Sequence, residues 1–369
     1  MLTTFTNTTL PHPQDQLDIH RSNARTPDPT RKTFILSFLC LSLFCLSLLE
    51  AEDQSPPPLQ RVVVYLPLFR PNRDPAEMLS RLDLRTLTHL NLAFINPDVN
   101  CSYTTVESHP SWRVLIEHLP TLHAAGIKVL ASIGGGGWRG SEPLRPHLVE
   151  RSRRAAYVAS LVAFVKRWKL DGIDVDIEGP LVKDAQRYPP FVIELGDALL
   201  AHGLRMTAAY SANTTNVSDE MLARIEFINT MAYDESGSWS PHRVIQHSSM
   251  EHAQRNIDVW LKRGVPPEKI VLGVPFYGWR FFLNAQGKPA GDSKTWAQIV
   301  AEYPSATEVD EYGDATTSAG RIFYNGPTTI AAKTLLARRY GGIMVWEIGQ
   351  DALGEHSLFA VIRANTGRN

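Results

Sequence analysis

Eight short apolar runs punctuate the chain, at 62–66, 88–95, 128–133, 172–178, 205–210, 227–232, 270–276 and 342–347. They are rich in Val, Ile and Leu, the composition of parallel strands buried on both faces. Between them lie longer segments with helical spacing of apolar residues, such as 154–168, 190–201 and 250–263. Strands that alternate with helices pair in parallel through crossover helices. Eight such units predict an α/β fold, a closed (β/α)8 TIM barrel over 61–367. No Gly-rich fingerprint follows the first strand, which argues against a dinucleotide-binding sheet.

The fourth run departs from the others. It reads Asp171, Gly172, Ile173, Asp174, Val175, Asp176, Ile177, Glu178. Side chains alternate along a strand, so Asp174, Asp176 and Glu178 share one face and the apolar residues share the other. Acids crowded on a buried face repel, and burial raises their pKa further. A fold keeps such a strand when the carboxylates do chemistry or hold a cation. A solvated acidic edge strand would not carry apolar residues at every intervening position. A metal cluster is weakly supported, because no histidine lies nearby and the spacing is not that of a calcium loop. Glu178 ends its strand, and barrel active sites sit at the C-terminal ends of strands.

The pattern D-x-x-D-x-D-x-E resembles the signature of the family 18 glycoside hydrolases, chitinase-like and of the bacterial type. Other motifs follow in matching order. Ser132-Ile133-Gly134-Gly135 on the third strand resembles S-x-G-G, Met231-Ala232-Tyr233-Asp234 on the sixth resembles M-x-Y-D, and Gly273 to Gly278 resembles G-x-P-x-Y-G. Trp279 stands where Arg often follows, a departure that concerns sugar contacts and not the chemistry. Trp346 on the eighth strand matches the family's tryptophan under the cleaved sugar. By this resemblance Glu178, Asp176, Asp174 and Tyr233 are catalytic. Asp234, Trp346, Met231, Tyr277, Phe94 and Trp138 contact substrate, Ser132 and Tyr65 support the acids, and Asp171, grouped with them as supporting, reads as more structural because it lies near the start of the strand. Ser132 would hydrogen-bond Asp171 or Asp174. Many family members insert a small α+β domain after the seventh strand. Here that stretch also holds a helical segment at 328–340, so the insertion is expected to be short or absent. Little material would then wall the cleft, leaving Trp138, Trp239 and Trp279 along an open groove.

The resemblance implies a retaining mechanism assisted by the substrate. The 2-acetamido oxygen attacks the anomeric carbon, and Glu178 serves as acid and then as base. Asp176 orients the acetamido group, and Asp174 shares a proton with Asp176. Neither metal nor organic cofactor is implied. The expected substrate is an N-acetylglucosamine-containing polysaccharide or glycan, with cleavage of β-1,4 linkages in chitin or chitooligosaccharides. Two alternatives stay open: an endo-β-N-acetylglucosaminidase acting on the chitobiose core of N-glycans, and a non-hydrolytic chitin-binding lectin. The presence of Glu178 disfavours the lectin.

Composition adds limits. The formal net charge of −1 over 369 residues suggests no nucleic-acid partner. No protein partner is implied, and a monomer is expected. Residues 1–33 are polar and read as a disordered leader, or as sequence upstream of the true start. Arg31-Lys32 and the apolar run that follows read as a signal peptide or membrane anchor over 34–51. Residues 52–60, with Pro56-Pro57-Pro58, read as a linker. The domain is therefore expected to be secreted, periplasmic or at the cell surface. Beyond that segment only Cys101 remains, so no disulfide within the domain is expected.

Overall fold

The computed structural model describes residues 57–68, 74–136, 140–303 and 305–368. The leader at 1–33, the signal segment at 34–51, most of the linker and Trp138 lie outside the described residues.

Alternation along the strands builds the barrel from two layers of side chains. The strands are β1 Val62–Pro67, β2 His89–Ala93, β3 Lys128–Gly135, β4 Gly172–Ile177, β5 Arg205–Tyr210, β6 Ile228–Thr230, β7 Ile270–Pro275 and, after four strands described below, β12 Gly342–Trp346. All neighbours pair in parallel, and β12 closes on β1 with Val62 opposite Ile343. Closure leaves the barrel no free edge. Ile173, Val175 and Ile177 of β4 pack outward against the helices. Val63, Tyr65, Phe227, Val271 and Met344 form a smaller cluster within the barrel. Asp174 and Asp176 share that inner face, so the pattern of β4 directs the acids inward as the alternation predicts.

The helices follow the same logic. In the helix Met250–Lys262 one face buries Ala253, Asn256, Ile257 and Trp260, the spacing of a core-facing stripe. Ser249 caps it by accepting from His252 N at 3.0 Å.

Between β7 and β12 the chain makes β8 Tyr277–Leu283, β9 Pro289–Thr295, β10 Glu311–Asp314 and β11 Gly320–Phe323, an antiparallel sheet ordered β10-β11-β8-β9 with the helix Trp296–Glu302. The α+β insertion is therefore present and compact. The expectation of little wall material needs correction, because β8 brings Trp279 to within 5.2 Å of Trp239, ring centre to ring centre. β9 is mostly polar and partly exposed, and β10 is exposed throughout, so no apolar run marks them in the sequence. At the end of the expected linker Leu59 is anchored to the domain, while Pro57, Pro58 and Gln60 stay exposed. Leu59 is 1% exposed, its N–H donates to Thr366 O at 2.8 Å, and Arg368 donates to the carbonyls of Leu59 and Gln60.

Candidate active site

At the C-terminal end of the barrel, β1, β3, β4, β5 and β6 converge on one carboxylate. Asp174 is fully buried. Its Oδ2 accepts from Tyr65 Oη at 2.7 Å and Ser132 Oγ at 2.8 Å. Its Oδ1 accepts from Thr207 Oγ1 at 2.6 Å and Asn229 Nδ2 at 3.3 Å. Burial pushes the Asp174 pKa up while these four donors pull it back, and the net shift is upward. Of the two partners expected for Ser132, Asp174 is the one it bonds.

Asp176 sits two residues further along the same face with far less support. It is 2% exposed, and its Oδ1 has no hydrogen-bond partner among the described residues. Burial, then the charges of Glu178 and Asp174, push its pKa well above the carboxylate range. Glu178 is half-buried at the end of the strand. Burial and the charge of Asp234 raise its pKa to about 7. Its backbone N–H donates to Ser141 Oγ at 2.8 Å, and that hydroxyl donates to Gly135 O at 2.9 Å. The turn after β3 thus fixes the strand end that carries Glu178.

The S-x-G-G glycines have a steric reason. Gly134 has φ +101°, and a Cβ there would lie 2.3 Å from Asp176 O. Only glycine tolerates both the conformation and the approach. Gly134→Ala should lower thermal stability by about 1–3 kcal/mol and impair activity with it. Thermal denaturation of the variant, read beside its turnover, checks this; an unchanged melting temperature would contradict the steric reading.

Tyr233 and Asp234 follow β6. Tyr233 is buried, and burial together with the nearby acids raises its phenol pKa well above the ordinary value. Asp234 adopts φ +62°. It accepts from Tyr277 Oη at 2.5 Å and Trp279 Nε1 at 2.8 Å, with His247 Nδ1 at 3.5 Å. Its side chain is 38% exposed to the cleft; partial desolvation by the cleft walls raises its pKa, but His247, Trp279 and Tyr277 outweigh that, leaving it below the usual carboxylate value. Trp279, the departure from the family pattern, thus serves as a donor to Asp234. Trp346 packs edge-on against Tyr65 at 5.2 Å and stacks on Phe94 at 5.7 Å. A cleft of about 730 Å³ opens over these groups, lined in part by Asp176, Glu178, Met231, Tyr233, Asp234 and Trp346.

Most of the residues singled out in the sequence therefore meet here. Asp171 does not. It accepts from Val129 N at 2.9 Å and pairs with His123 at 3.0 Å and Lys128 at 3.1 Å, clamping the start of β4 to the start of β3. It holds the strand and not the acids, the structural part expected from its place near the start of β4. Sequence reading missed Thr207, Asn229, Ser141 and His247. Thr207 and Asn229 are polar residues inside apolar runs, a signal that was available. Ser141 and His247 reach the site only because loops fold back, and no local pattern marks them.

A barrel with an acid-bearing fourth strand under an open cleft defines a glycosidase scaffold. The chain belongs to the family described as glycosyl hydrolases family 18, whose model matches residues 61–351. It is similar to the solved structure of the GH18 chitinase ChiB from the chitin utilization locus of Flavobacterium johnsoniae, at 33% identity and a TM-score of 0.71, covering 84% of this chain and 94% of that one. Among curated proteins it is 24% identical to Probable chitinase 2 of Drosophila melanogaster over 77% of this chain and 70% of that protein. It is 28% identical to Endochitinase 1 of Metarhizium robertsii over 79% of this chain and 81% of that protein.

Proposed function

We propose that this protein hydrolyses β-1,4 linkages at N-acetylglucosamine residues of chitin or chitooligosaccharides, retaining the anomeric configuration with help from the substrate's own acetamido group. The observation that carries the reading is Asp176. A buried carboxylate with one oxygen unpartnered among the described residues is a costly arrangement for stability. It becomes favourable when a substrate N–H donates to that oxygen. An acetamido N–H beside the scissile bond supplies such a donor. Tyr233, whose burial and acidic neighbours keep the phenol protonated, would donate to the acetamido carbonyl. That carbonyl oxygen then attacks the anomeric carbon as the glycosidic C–O bond breaks. Glu178, with a pKa of about 7, gives its proton to the leaving oxygen. In the second half it takes a proton from the water that opens the cyclic intermediate. Asp174, held by four donors, would share a proton with Asp176. Trp346 offers an aromatic face under the sugar. The relatives named above carry the name chitinase, which supports chitin over the N-glycan alternative.

Two measurements test the mechanism. NMR of early products should show the β anomer first, and a thiazoline mimic of the cyclic intermediate should inhibit. Formation of the α anomer first, or equal cleavage of a fully deacetylated substrate, would exclude acetamido assistance.

The pH profile is a further prediction. Glu178 must be protonated to act as acid, so kcat/KM should fall as pH rises through about 7. Asp234 contributes to the raised value. Asp234→Asn removes that charge and should move the alkaline limb to lower pH. A limb that stays in place in the variant would deny the coupling.

Export of the domain is also part of the proposal, based on Arg31-Lys32 and the apolar run after it. No helix among the described residues is long and apolar enough to cross a membrane.

A further inference from the structure

β6 ends at Thr230, three residues before Tyr233. Met231 N–H still donates to Tyr210 O of β5 at 2.8 Å. From there the segment that carries Tyr233 and Asp234 is held from the side, by His247 and Ser248. Ser248 Oγ donates to Ala232 O at 2.7 Å. Glu235 N–H donates to His247 O at 3.1 Å, and Asp234 N lies 3.4 Å from His247 Nδ1. A returning loop takes the part of a neighbouring strand here, and it can do so only if it is itself fixed.

Lys333 fixes it. The helix Pro327–Ala337 buries Ile330, Lys333, Thr334 and Ala337, the spacing of a core-facing stripe, so an amine stands where an apolar residue is expected. Lys333 is fully buried. Its Nζ donates to Ser248 O at 2.7 Å, Ser248 Oγ at 2.7 Å and Asn325 Oδ1 at 2.8 Å, one acceptor for each N–H of an ammonium. Burial lowers its pKa to about 7, against the charge of Asp310, which raises it. A buried amine costs stability, and a methionine would fill the space without that cost. An apolar residue could not bind both oxygens of Ser248 at once. Further bonds converge on the same residue. Asn325, just past β11, donates through Nδ2 to Ser248 O at 2.8 Å. Ser248 N–H donates to Gln246 Oε1 at 3.1 Å, and Gln246 Nε2 donates to Tyr324 O at 2.8 Å. Ser248 is therefore tied both to Lys333 and to the chain leaving the insertion sheet.

We propose that Lys333 is a positioning residue for Tyr233 and Asp234: through Ser248 it sets the place of Ala232 O, and through the adjoining His247 it sets Asp234. The inference rests on the glycosidase reading above and adds to it a residue that lies outside the cleft lining and touches no reacting atom. The phenol that would receive the acetamido carbonyl and the carboxylate that raises Glu178 then share one buried post.

The test uses the full chain, with a thiazoline mimic of the cyclic intermediate titrated calorimetrically beside turnover of chitotetraose. The stoichiometry of that titration counts folded sites, so affinity and folded fraction are read separately. Lys333→Met keeps most of the side-chain volume and removes the three donors. Its Kd for the mimic should rise about tenfold to hundredfold and kcat per binding site should fall by a similar factor, the scale on which small displacements act at a reacting centre. KM for chitotetraose should move far less. Ser248→Ala removes only the hydroxyl between Lys333 and Ala232 O and should show the same split to a smaller degree. The double variant should cost less than the product of the two separate losses, because both act through one chain of bonds. Affinity and turnover per site equal to those of the unaltered protein in both variants, with only stoichiometry or thermal midpoint reduced, would make Lys333 purely structural and overturn the inference. If Lys333→Met yields no folded sites, Ser248→Ala decides, and an unchanged Kd there overturns the inference. Unaltered protein that neither cleaves chitotetraose nor binds the mimic would overturn the glycosidase reading itself, so the two failures are told apart before any variant is made.

Discussion

Glu178→Gln should lower kcat by roughly 10²–10⁴, the range expected when a positioned proton donor is lost. The amide keeps the shape of the side chain but has no acid proton to give. Sugar binding should persist, so a dissociation constant for chitooligosaccharide should change little while turnover disappears. Activity within about tenfold of the unaltered protein would assign the acid to another residue. The same variant should be more stable at high pH. The folded-state pKa of Glu178 is raised to about 7 from an ordinary 4.5. The folded state therefore binds this proton more tightly than the unfolded state does. Stability drawn from that preference is complete below the unfolded value and is lost as pH rises through about 7. Glutamine does not ionise. Its thermal midpoint should match that of the unaltered protein near pH 4 and exceed it near pH 8. Equal midpoints at both ends would show that burial does not strain this carboxyl.

Asp176→Asn should cost roughly 10²–10³ in kcat, the scale for removing one preorganised electrostatic partner of a developing charge. The substitution conserves volume in a buried site, so the fold should hold. It removes the negative charge that would steady the cationic intermediate. It also relieves the repulsion with Glu178, whose charge helps to raise Asp176. KM should move far less than kcat, because the lost interaction strengthens only as charge develops. An equal rise in KM with kcat intact would make Asp176 a binding residue only. Glu178→Gln and Asp176→Asn together should cost much less than the product of the separate losses, since the two groups act on one step.

Much of the site was legible because the barrel turns sequence order into spatial order. A strand of period two puts Asp174, Asp176 and Glu178 on one face, and parallel strands place every strand end on one rim. Tyr65, Ser132, Tyr233 and Trp346 fall on that rim for the same reason. The motif glycines were legible as a pattern, but their cause was not. Gly134 exists because Asp176 O lies where its Cβ would be, and a neighbouring strand's backbone leaves no trace in local sequence.

Other features depended on loops that return. His247 comes back beside Asp234 after the chain has left the cleft, and Ser141 does the same for Glu178. The extent of the insertion sheet was not legible because β9 and β10 carry mostly polar side chains with no apolar alternation. Asp171, four carboxylates' worth of motif notwithstanding, lies at the far end of its strand and clamps β3 to β4.

The sequence by itself determined the barrel, the order of its strands and which acids share a face, because hydrophobic periodicity encodes burial directly. Tertiary structure alone decided the state of those acids. Four donors from four other strands hold Asp174, Asp176 Oδ1 finds no partner among the described residues, and Asp234 raises Glu178. A pKa depends on distance and desolvation in three dimensions.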